Sequence, residues 1–334
     1  MDFEINQDYA LKGLHHVTAI TSSAQKIYDF FTNILGLRLA KKTVNQDDYE
    51  TFHLYFTDEN GVAGTDMTFF DFPGIPKGTK GTNNIDRVSF RVPTDTSVDY
   101  WIARFDKYGV KHGEIHEFFG KKSFEFVDFD DQHYRIISDE KNVGVAGGTP
   151  WSKSNVDKQH AIFGLGAVTV VVNNLEHMNL VLSDVLGFRK TDEEGSLTLY
   201  EIGEGGTGAS IIVDYQPDEP VAWQGYGNIH HLALRVGSKE GLSYWIERLE
   251  KFRFPDSGLV DRFYFASEYF QVAPQVLFEI ATDGPGFWVD EPEATAGEEL
   301  SLPPHLFPGD EAVKAATAAK LRPLDTSDAN KVRK

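Results

Sequence analysis

The chain has 334 residues, 41% of them hydrophobic and 25% charged, enough for one large or two ordinary folded domains. Acidic residues outnumber basic ones 51 to 32, and the formal charge of −19 argues against nucleic acid and anionic membranes as partners. The absence of cysteine excludes disulfides, thiol nucleophiles and thiolate metal sites. The start, MDFEINQDYA, lacks a signal-peptide pattern and no apolar run could span a bilayer, so we expect a cytoplasmic protein.

Internal repeats organise the chain. Two pairs of segments match at an offset of 151 residues: GLHHVT (13–18) with GLGAVT (164–169), and ILGLR (34–38) with VLGFR (185–189). Two further pairs match at an offset of 144: NIDRVSFRV (84–92) with NIHHLALRV (228–236), and YWIARF (100–105) with YWIERL (244–249). Offsets that hold without gaps indicate repeated structural units.

Each repeat has the pattern of a strand, an amphipathic helix and several further strands. The first helix of each half is expected to begin at an N-cap, Ser22 or Asn173, and to end at Gly36 or Gly187. The prediction is an α+β fold of four βαβββ modules, with units at about 12–73, 84–139, 163–217 and 228–282. Residues 1–150 and 151–289 would each hold a pair of modules. The tail, 290–334, is rich in Pro, Ala and acidic residues, and we expect one short helix near 310–320 and loose packing elsewhere.

Positions where matched units differ are candidates for function, since shared residues serve the fold. His15-His16 of unit one correspond to Gly166-Ala167 of unit three, and His230-His231 of unit four correspond to Asp86-Arg87 of unit two. Glu279 of unit four stands where unit two has Arg135. Two histidine pairs and one carboxylate therefore distinguish the two ends of the chain from its middle.

These residues suggest a metal site. Side chains alternate between the two faces of a strand, so one histidine of each pair is expected to face a shared surface with Glu279. Two imidazoles and one carboxylate form the facial triad typical of mononuclear non-haem Fe(II), and Mn(II) accepts the same ligands. An ionised Glu279 between Phe278 and Ile280 also needs a cationic partner. The alternative is that each pair is a polar strand face with satisfied hydrogen bonds.

The repeated βαβββ unit and these motifs resemble the vicinal-oxygen-chelate superfamily. Within it, GLHHVTAITSSAQKIYDFFTNILGLRLAKKTVNQDD, NIHHLALRV, VLFEIATDGPGF and the LPPHLFP element (302–308) look like the ring-cleaving dioxygenases of the hydroquinone type. The resemblance covers nearly the whole chain. It departs after Tyr269, where FQVAPQVLFE replaces a charged, Gly-containing turn, a difference that bears on substrate preference.

The resemblance implies His16, His231 and Glu279 as the metal ligands. It also implies five residues around the substrate or the ligands, namely His15, Thr18, His230, Arg262 and Tyr269. An arginine beside a phenolate stabilises negative charge and a tyrosine can donate a proton, so the residue chemistry agrees. Taken alone, Arg262 could equally form a surface salt bridge and Tyr269 could be ordinary strand packing.

The leading hypothesis is an Fe(II)-dependent, extradiol-type dioxygenase that opens the ring of a hydroquinone or related phenol and inserts both atoms of O₂. A Zn²⁺- or Ni²⁺-dependent glyoxalase-like isomerase is one alternative, and a non-catalytic quinone- or drug-binding protein is another. The protein could be a homo-oligomer. Because the ligands come from the first and last units, these units are expected to pair into one open barrel and the inner units into a metal-free one.

Other signals are set aside. HGEIH (112–116) lies among strands and lacks the spacing of a helical zinc motif. GEGGTG (203–208) lies between strands and is expected to be a turn rather than a dinucleotide loop. The remaining histidines are expected to be structural or exposed: His53, His133, His160, His177 and His305.

Overall fold

The computed structural model describes residues 4–141, 143–305, 307 and 309–333. Leu306 and Pro308, within the LPPHLFP element, lie outside the described residues. The described chain is α+β, and each quarter contains a strand, a helix and three further strands. Among these residues, no helix is long and apolar enough to cross a membrane.

The strands of the first and last quarters are β1 (Leu14–Ile20), β2 (Arg38–Asn45), β3 (Asp48–Thr57), β4 (Asp66–Phe70), β13 (Ile229–Val236), β14 (Val260–Asp261), β15 (Ala266–Ala273) and β16 (Val276–Thr282). Those of the middle quarters are β5 (Asn84–Val92), β6 (His116–Phe118), β7 (Lys121–Val127), β8 (His133–Ser138), β9 (Leu165–Val172), β10 (Arg189–Glu194), β11 (Leu197–Glu201) and β12 (Ser210–Tyr215). The helices are α1 (Ala24–Asp29), α2 (Asp95–Tyr108), α3 (Leu175–Asn179), α4 (Lys239–Lys251) and α5 (Glu311–Ala318), with π-helical turns Phe30–Ile34 and Leu180–Val185 extending α1 and α3.

The strands form two eight-stranded sheets, and neither sheet is built from one half of the chain. The outer sheet has the order β14-β15-β16-β13-β1-β4-β3-β2, so the first and last quarters join through the antiparallel pair β1 and β13. The inner sheet has the order β10-β11-β12-β9-β5-β8-β7-β6 and joins the middle quarters through β5 and β9. The expected pairing of the outer units is confirmed.

Apolar periodicity places the helices on one face of each sheet. Phe31, at the end of the first helix, packs against Phe56 and Phe69 of the outer sheet with ring centroids 4.9 Å apart in both pairs. The equivalent tryptophans of α2 and α4, Trp101 and Trp245, are fully buried. The opposite face of the outer sheet is therefore free to carry polar groups.

The N-caps lie one residue later than the sequence suggested. Ser23 and Asn174 accept hydrogen bonds from the backbone N–H groups of Lys26 and His177 and cap the first helices of the two halves. Ser22 is instead bound to Asp130, through its backbone N–H and its hydroxyl. Ser22 is therefore bound to the turn between β7 and β8, and the next residue caps the helix.

The C-terminal tail contains the expected short helix, α5, but the expectation of loose packing is wrong. Ala296 and Ala329 are fully buried. Tyr28 of α1 donates a hydrogen bond of 2.6 Å to Asp328, which also forms an ion pair with Arg333. The tail is polar because it lies over the first helix and binds it through charged groups.

Candidate metal centre

Three adjacent strands of the outer sheet bring together the ligands that the sequence proposed. His16 lies in β1, His231 in β13 and Glu279 in β16. Ala233 of β13 is the ladder partner of both His16 and Glu279, so it lies between them on the same face. Its small side chain leaves room above the sheet for an ion.

The three ligand atoms form a nearly equilateral triangle. His16 Nε2 lies 3.2 Å from His231 Nε2 and 3.2 Å from Glu279 Oε2, and His231 Nε2 lies 3.0 Å from Glu279 Oε2. All three side chains are buried. Among the described residues this is the only group of three or more His, Cys, Asp or Glu side chains arranged to hold a metal ion.

The expectation that only one histidine of each pair faces the site is wrong, and β-bulges are the reason. The ladder between β1 and β13 passes from Leu14 directly to His16, and from His231 directly to Ile229, so His15 and His230 are extra residues. A bulge places an additional side chain on the same side of a strand as its neighbour. As a result, Nδ1 atoms approach to 2.9 Å in the first histidine pair and to 2.8 Å in the second.

The first bulge fixes the tautomer of His16. His15 Nε2 lies 3.0 Å from the carbonyl oxygen of Thr282, which can only accept, so Nε2 carries the proton. Burial and the neighbouring His16 lower the pKa of His15 to about 3, so its ring is neutral and Nδ1 has a lone pair. His16 Nδ1–H must therefore donate to His15, which leaves the lone pair of His16 Nε2 facing the other two ligand atoms.

The second bulge gives His231 an equivalent hydrogen-bond partner, His230. Burial and then His231 lower the pKa of His230 to about 3, so its ring is also neutral. When His231 Nδ1–H donates to His230 Nδ1, the lone pair of His231 Nε2 turns to the centre of the triangle. His230 then carries its proton on Nε2, and the residue lines the adjoining cavity.

This donor set fits a metal cation. Three lone-pair atoms about 3 Å apart in a buried site repel one another unless a cation lies between them. Glu279 Oε2 has no hydrogen-bond donor, whereas Oε1 accepts a hydrogen bond from Ser267. Three ligands about 2.1 Å from one ion, at right angles to one another, are themselves about 3.0 Å apart, close to the observed edges. The triangle therefore suits three facial ligands, with the remaining positions open.

The charge of Glu279 is favoured despite its burial. Burial raises the pKa of this carboxyl, but positive charge and N–H donors on His16 and His231 outweigh it and hold the pKa well below its ordinary value, and a cation between the same atoms acts in the same direction. The carboxylate is therefore available as an anionic ligand. Ser267, which orients it from β15, was not identified from the sequence because a serine in a strand carries no distinctive signal.

A cavity of about 460 Å³ adjoins the triangle, and His231 belongs to both. Its lining combines aromatic and polar side chains: Asn45, Gln46, Asp47, Asp48, His53, Tyr55, Phe70, Phe72, His230, His231, Arg262, Tyr269 and Leu277. A volume of this size accommodates a single aromatic ring with room to spare.

Arg262 and Tyr269 lie on the wall nearest Glu279. Tyr269 is the ladder partner of Glu279, and Arg262 Nε donates a hydrogen bond of 3.1 Å to its phenolic oxygen. Arg262 also pairs with Asp47 at 2.8 Å, across the cavity mouth. Burial raises the pKa of Tyr269, with Glu279 adding to the effect, so the phenol stays protonated and can donate into the cavity.

His53 was expected to be structural or exposed, but it lines the cavity. The sequence carried a usable signal, since Phe52, Leu54 and Phe56 are buried core residues of β3 and alternation turns His53 to the other face. Thr18, a predicted site residue, does not line the cavity; its hydroxyl lies 2.7 Å from that of Thr68 beneath the surface.

The middle of the chain offers no comparable centre among the described residues. The inner sheet has Arg135 where the outer sheet has Glu279, and this guanidinium stacks 3.5 Å from the centroid of Phe118 and bonds to Glu125 at 2.9 Å. His112 and His116 of HGEIH bind nearby carbonyl and carboxylate groups separately. The GEGGTG segment is a turn that leads into strand β12.

Comparisons with known proteins place this geometry in a family. Residues 13–137 match the family model of the Glyoxalase/Bleomycin resistance protein/Dioxygenase superfamily. The chain is 38% identical, over 94% of its length and 99% of the relative, to the Bacillus subtilis protein named "Putative ring-cleaving dioxygenase MhqA". It is 32% identical to the chlorohydroquinone/hydroquinone 1,2-dioxygenase of Sphingobium indicum, over 89% of this chain and 92% of that one.

Solved structures show the same fold. A crystal structure of a Bacillus subtilis protein described as a "putative dioxygenase" superposes with a TM-score of 0.86 and 32% identity, over 95% of this chain and 98% of that one. Glyoxalase I from Zea mays superposes with a TM-score of 0.57 at 12% identity, over 81% and 92% of the two chains, which shows a shared fold alone. The chain therefore belongs to the ring-cleaving dioxygenases of the Glyoxalase/Bleomycin resistance protein/Dioxygenase superfamily.

Proposed function

We propose that this protein is an Fe(II)-dependent, extradiol-type dioxygenase that opens the ring of a hydroquinone or related phenol with both atoms of O₂. The observation that carries the proposal is the buried triangle of His16, His231 and Glu279 beside an aromatic-lined cavity. The name of the Sphingobium relative supports the substrate class. Mn(II) would be held by the same three ligands.

Bound Fe(II) would supply open positions for a phenol oxygen and O₂ and the one-electron chemistry that O₂ requires. His16, His231 and Glu279 would hold the ion, with His15 and His230 setting the tautomers of the two histidines and Ser267 orienting the carboxylate. These contacts preorganise the three ligand atoms before any ion binds.

The remaining polar groups act on the substrate. The Arg262 guanidinium, held by Asp47 and Tyr269, places positive charge where a phenolate or a developing oxyanion would lie. The Tyr269 hydroxyl and the Nε2–H of His230 can donate hydrogen bonds into the same space. Phe70 and Phe72 supply the apolar surface that holds a ring, with centroids 5.5 and 6.3 Å from that of His230.

Metal analysis with an oxygen assay tests the proposal. Protein purified without oxygen should contain one iron per chain and consume one O₂ for each hydroquinone opened, with label from ¹⁸O₂ in both new oxygen positions of the product. Zinc or nickel without O₂ consumption would favour the isomerase, and the absence of metal would favour a binding protein. Either result would overturn the proposal.

A further inference from the structure

A chain of four hydrogen-bonded side chains starts on the wall of the cavity that belongs to β3. Tyr55 Oη lies 2.9 Å from His53 Nδ1, His53 Nε2 lies 3.0 Å from Thr68 Oγ1, and Thr68 Oγ1 lies 2.7 Å from Thr18 Oγ1. Tyr55 and His53 line the cavity, whereas the threonines lie in the sheet beneath it.

This wall is distant, along the sheet, from the one that carries Arg262 and Tyr269. Tyr269 lies in β15, beside Glu279, whereas Tyr55 lies in β3, two strands beyond His16. The sheet curls so that its ends meet, since the amide of Gln46 donates a hydrogen bond of 2.8 Å to the backbone oxygen of Arg262. The cavity therefore has one polar wall on the β15 side of the ligand strands and a second polar wall on their β3 side.

Both ring nitrogens of His53 take part in this chain. Burial, followed by the effects of His16 and His231, lowers the pKa of His53 well below its ordinary value, so the resting ring is neutral and has one donor and one acceptor. When the Tyr55 hydroxyl donates to Nδ1, Nε2–H donates to Thr68, whose hydroxyl donates to Thr18. A neutral imidazole in such a chain can take a proton on one nitrogen while the other stays hydrogen-bonded.

We propose that His53 and Tyr55 form the acid–base pair for the substrate hydroxyl that lies away from the three ligands. The inference rests on the proposed function and deepens it. A hydroquinone carries its hydroxyls on opposite ring carbons, so when one lies at the ligands the other points to the far wall. Tyr55 contacts the substrate there, and His53 acts through Tyr55.

The proton transfer balances without a further reactant. The substrate O–H bond breaks, its proton passes to the Tyr55 oxygen, and the Tyr55 proton passes to His53 Nδ1. The electron pair stays on the substrate oxygen, which makes the ring easier to oxidise, and the imidazolium remains hydrogen-bonded to Thr68. The same proton returns through Tyr55 to the ring-opened product, so each turnover leaves the pair unchanged.

Two variants test the pair. His53→Gln keeps a hydrogen-bond donor and an acceptor, but its amide cannot take up a proton as an imidazole does. Tyr55→Phe removes the hydroxyl that contacts the substrate. Each should keep the wild-type metal content and a KM within a few-fold, and kcat should fall by about 10²–10³. His177→Gln is the matched control, because His177 of α3 does not line the cavity and its Nε2 lies 2.7 Å from the backbone carbonyl oxygen of Val272.

A substrate series separates proton transfer from structure. The loss in kcat for His53→Gln should shrink from hydroquinone to chlorohydroquinone to dichlorohydroquinone, because chlorine makes the hydroxyls more acidic and a base less necessary. An equal loss across the series, a loss of metal in His53→Gln, or wild-type kcat in that variant would each overturn the pair while leaving the ring-cleaving function in place. Wild-type protein that holds iron but opens none of these rings would overturn both.

Discussion

Replacing His15 by phenylalanine should weaken metal binding although His15 is not a ligand. In the wild type, His15 receives the Nδ1 proton of His16 over 2.9 Å and is itself fixed by the carbonyl of Thr282. Phenylalanine keeps the ring volume but has no acceptor. In the metal-free variant, His16 can move its proton to Nε2, where Glu279 Oε2 lies 3.2 Å away.

The size of the effect follows from the cost of reversing that change. Binding the metal returns the proton to Nδ1, where it now faces an apolar ring with no acceptor. A buried donor without a partner costs about 1–3 kcal/mol. Since about 1.4 kcal/mol is a factor of ten in affinity, we expect the dissociation constant to rise by about 10- to 100-fold. Loss of such outer contacts in metal sites generally has this size.

The measurement is a competition titration with a chelator under anaerobic conditions, using Fe(II) and then Mn(II). His177→Phe is the matched control, because it also removes an imidazole bound to a backbone carbonyl, at 2.7 Å from Val272 O, but one that contacts neither the three ligand atoms nor the cavity. The control should bind metal as the wild type does. Wild-type affinity in His15→Phe would refute the tautomer argument, since nothing else in the reasoning predicts a weaker site.

Four further outcomes are expected. Glu279→Gln removes the only anionic ligand at nearly constant volume, so it should lose stoichiometric metal and ring cleavage while keeping its circular dichroism; retained metal would contradict the assignment. Ala233→Leu fills the space between His16 and Glu279, so elemental analysis should find no bound metal, at a stability cost of about 1–3 kcal/mol. Tyr269→Phe should keep its metal and lose about 10²–10³ in kcat, and unchanged kinetics would count against its role. Burial raises the pKa of Glu268 from its ordinary 4.5 to about 8. Between these pH values the folded state keeps a proton that the unfolded state releases, so the free energy of unfolding should fall as the pH rises. Urea midpoints of Glu268→Gln at pH 5 and pH 8 should show a smaller fall than the wild type, and identical falls would refute the explanation.

The α+β class could be predicted because the repeats align strands with strands, and the pairing of the outer quarters because the candidate ligands come from the first and last units. Matched segments at constant offsets align strand with strand, and the residues that break the match, such as Glu279 against Arg135, mark where the units differ in chemistry. The ligands could be located in this way because a buried carboxylate in a strand is costly without a cation. No single motif in the chain would have been sufficient to locate the three candidate ligands.

The bulges could not be predicted from the sequence. Strand alternation assigns His15 and His16 to opposite faces, and only the pairing with β13 shows that His15 is an extra residue. The difference matters for the proposed metal site, because the first histidine of each pair accepts the Nδ1–H of the second and so sets its tautomer. His53 was missed for a different reason, because it lies in β3, outside the segments that match between the repeats.

The inner sheet has the same strand arrangement as the outer sheet but a different set of residues at the positions of the candidate ligands. It keeps the register shift at the position of the second histidine pair, since its ladder passes from Ile85 directly to Arg87. Where the outer sheet has Glu279 it has the buried Arg135, with Phe118 covering the guanidinium. There a fixed side-chain cation, paired with Glu125, occupies the position that the outer sheet gives to a carboxylate. The bulged strand pair is therefore common to both sheets, whereas the group of two histidines and one glutamate lies on only one of them among the described residues.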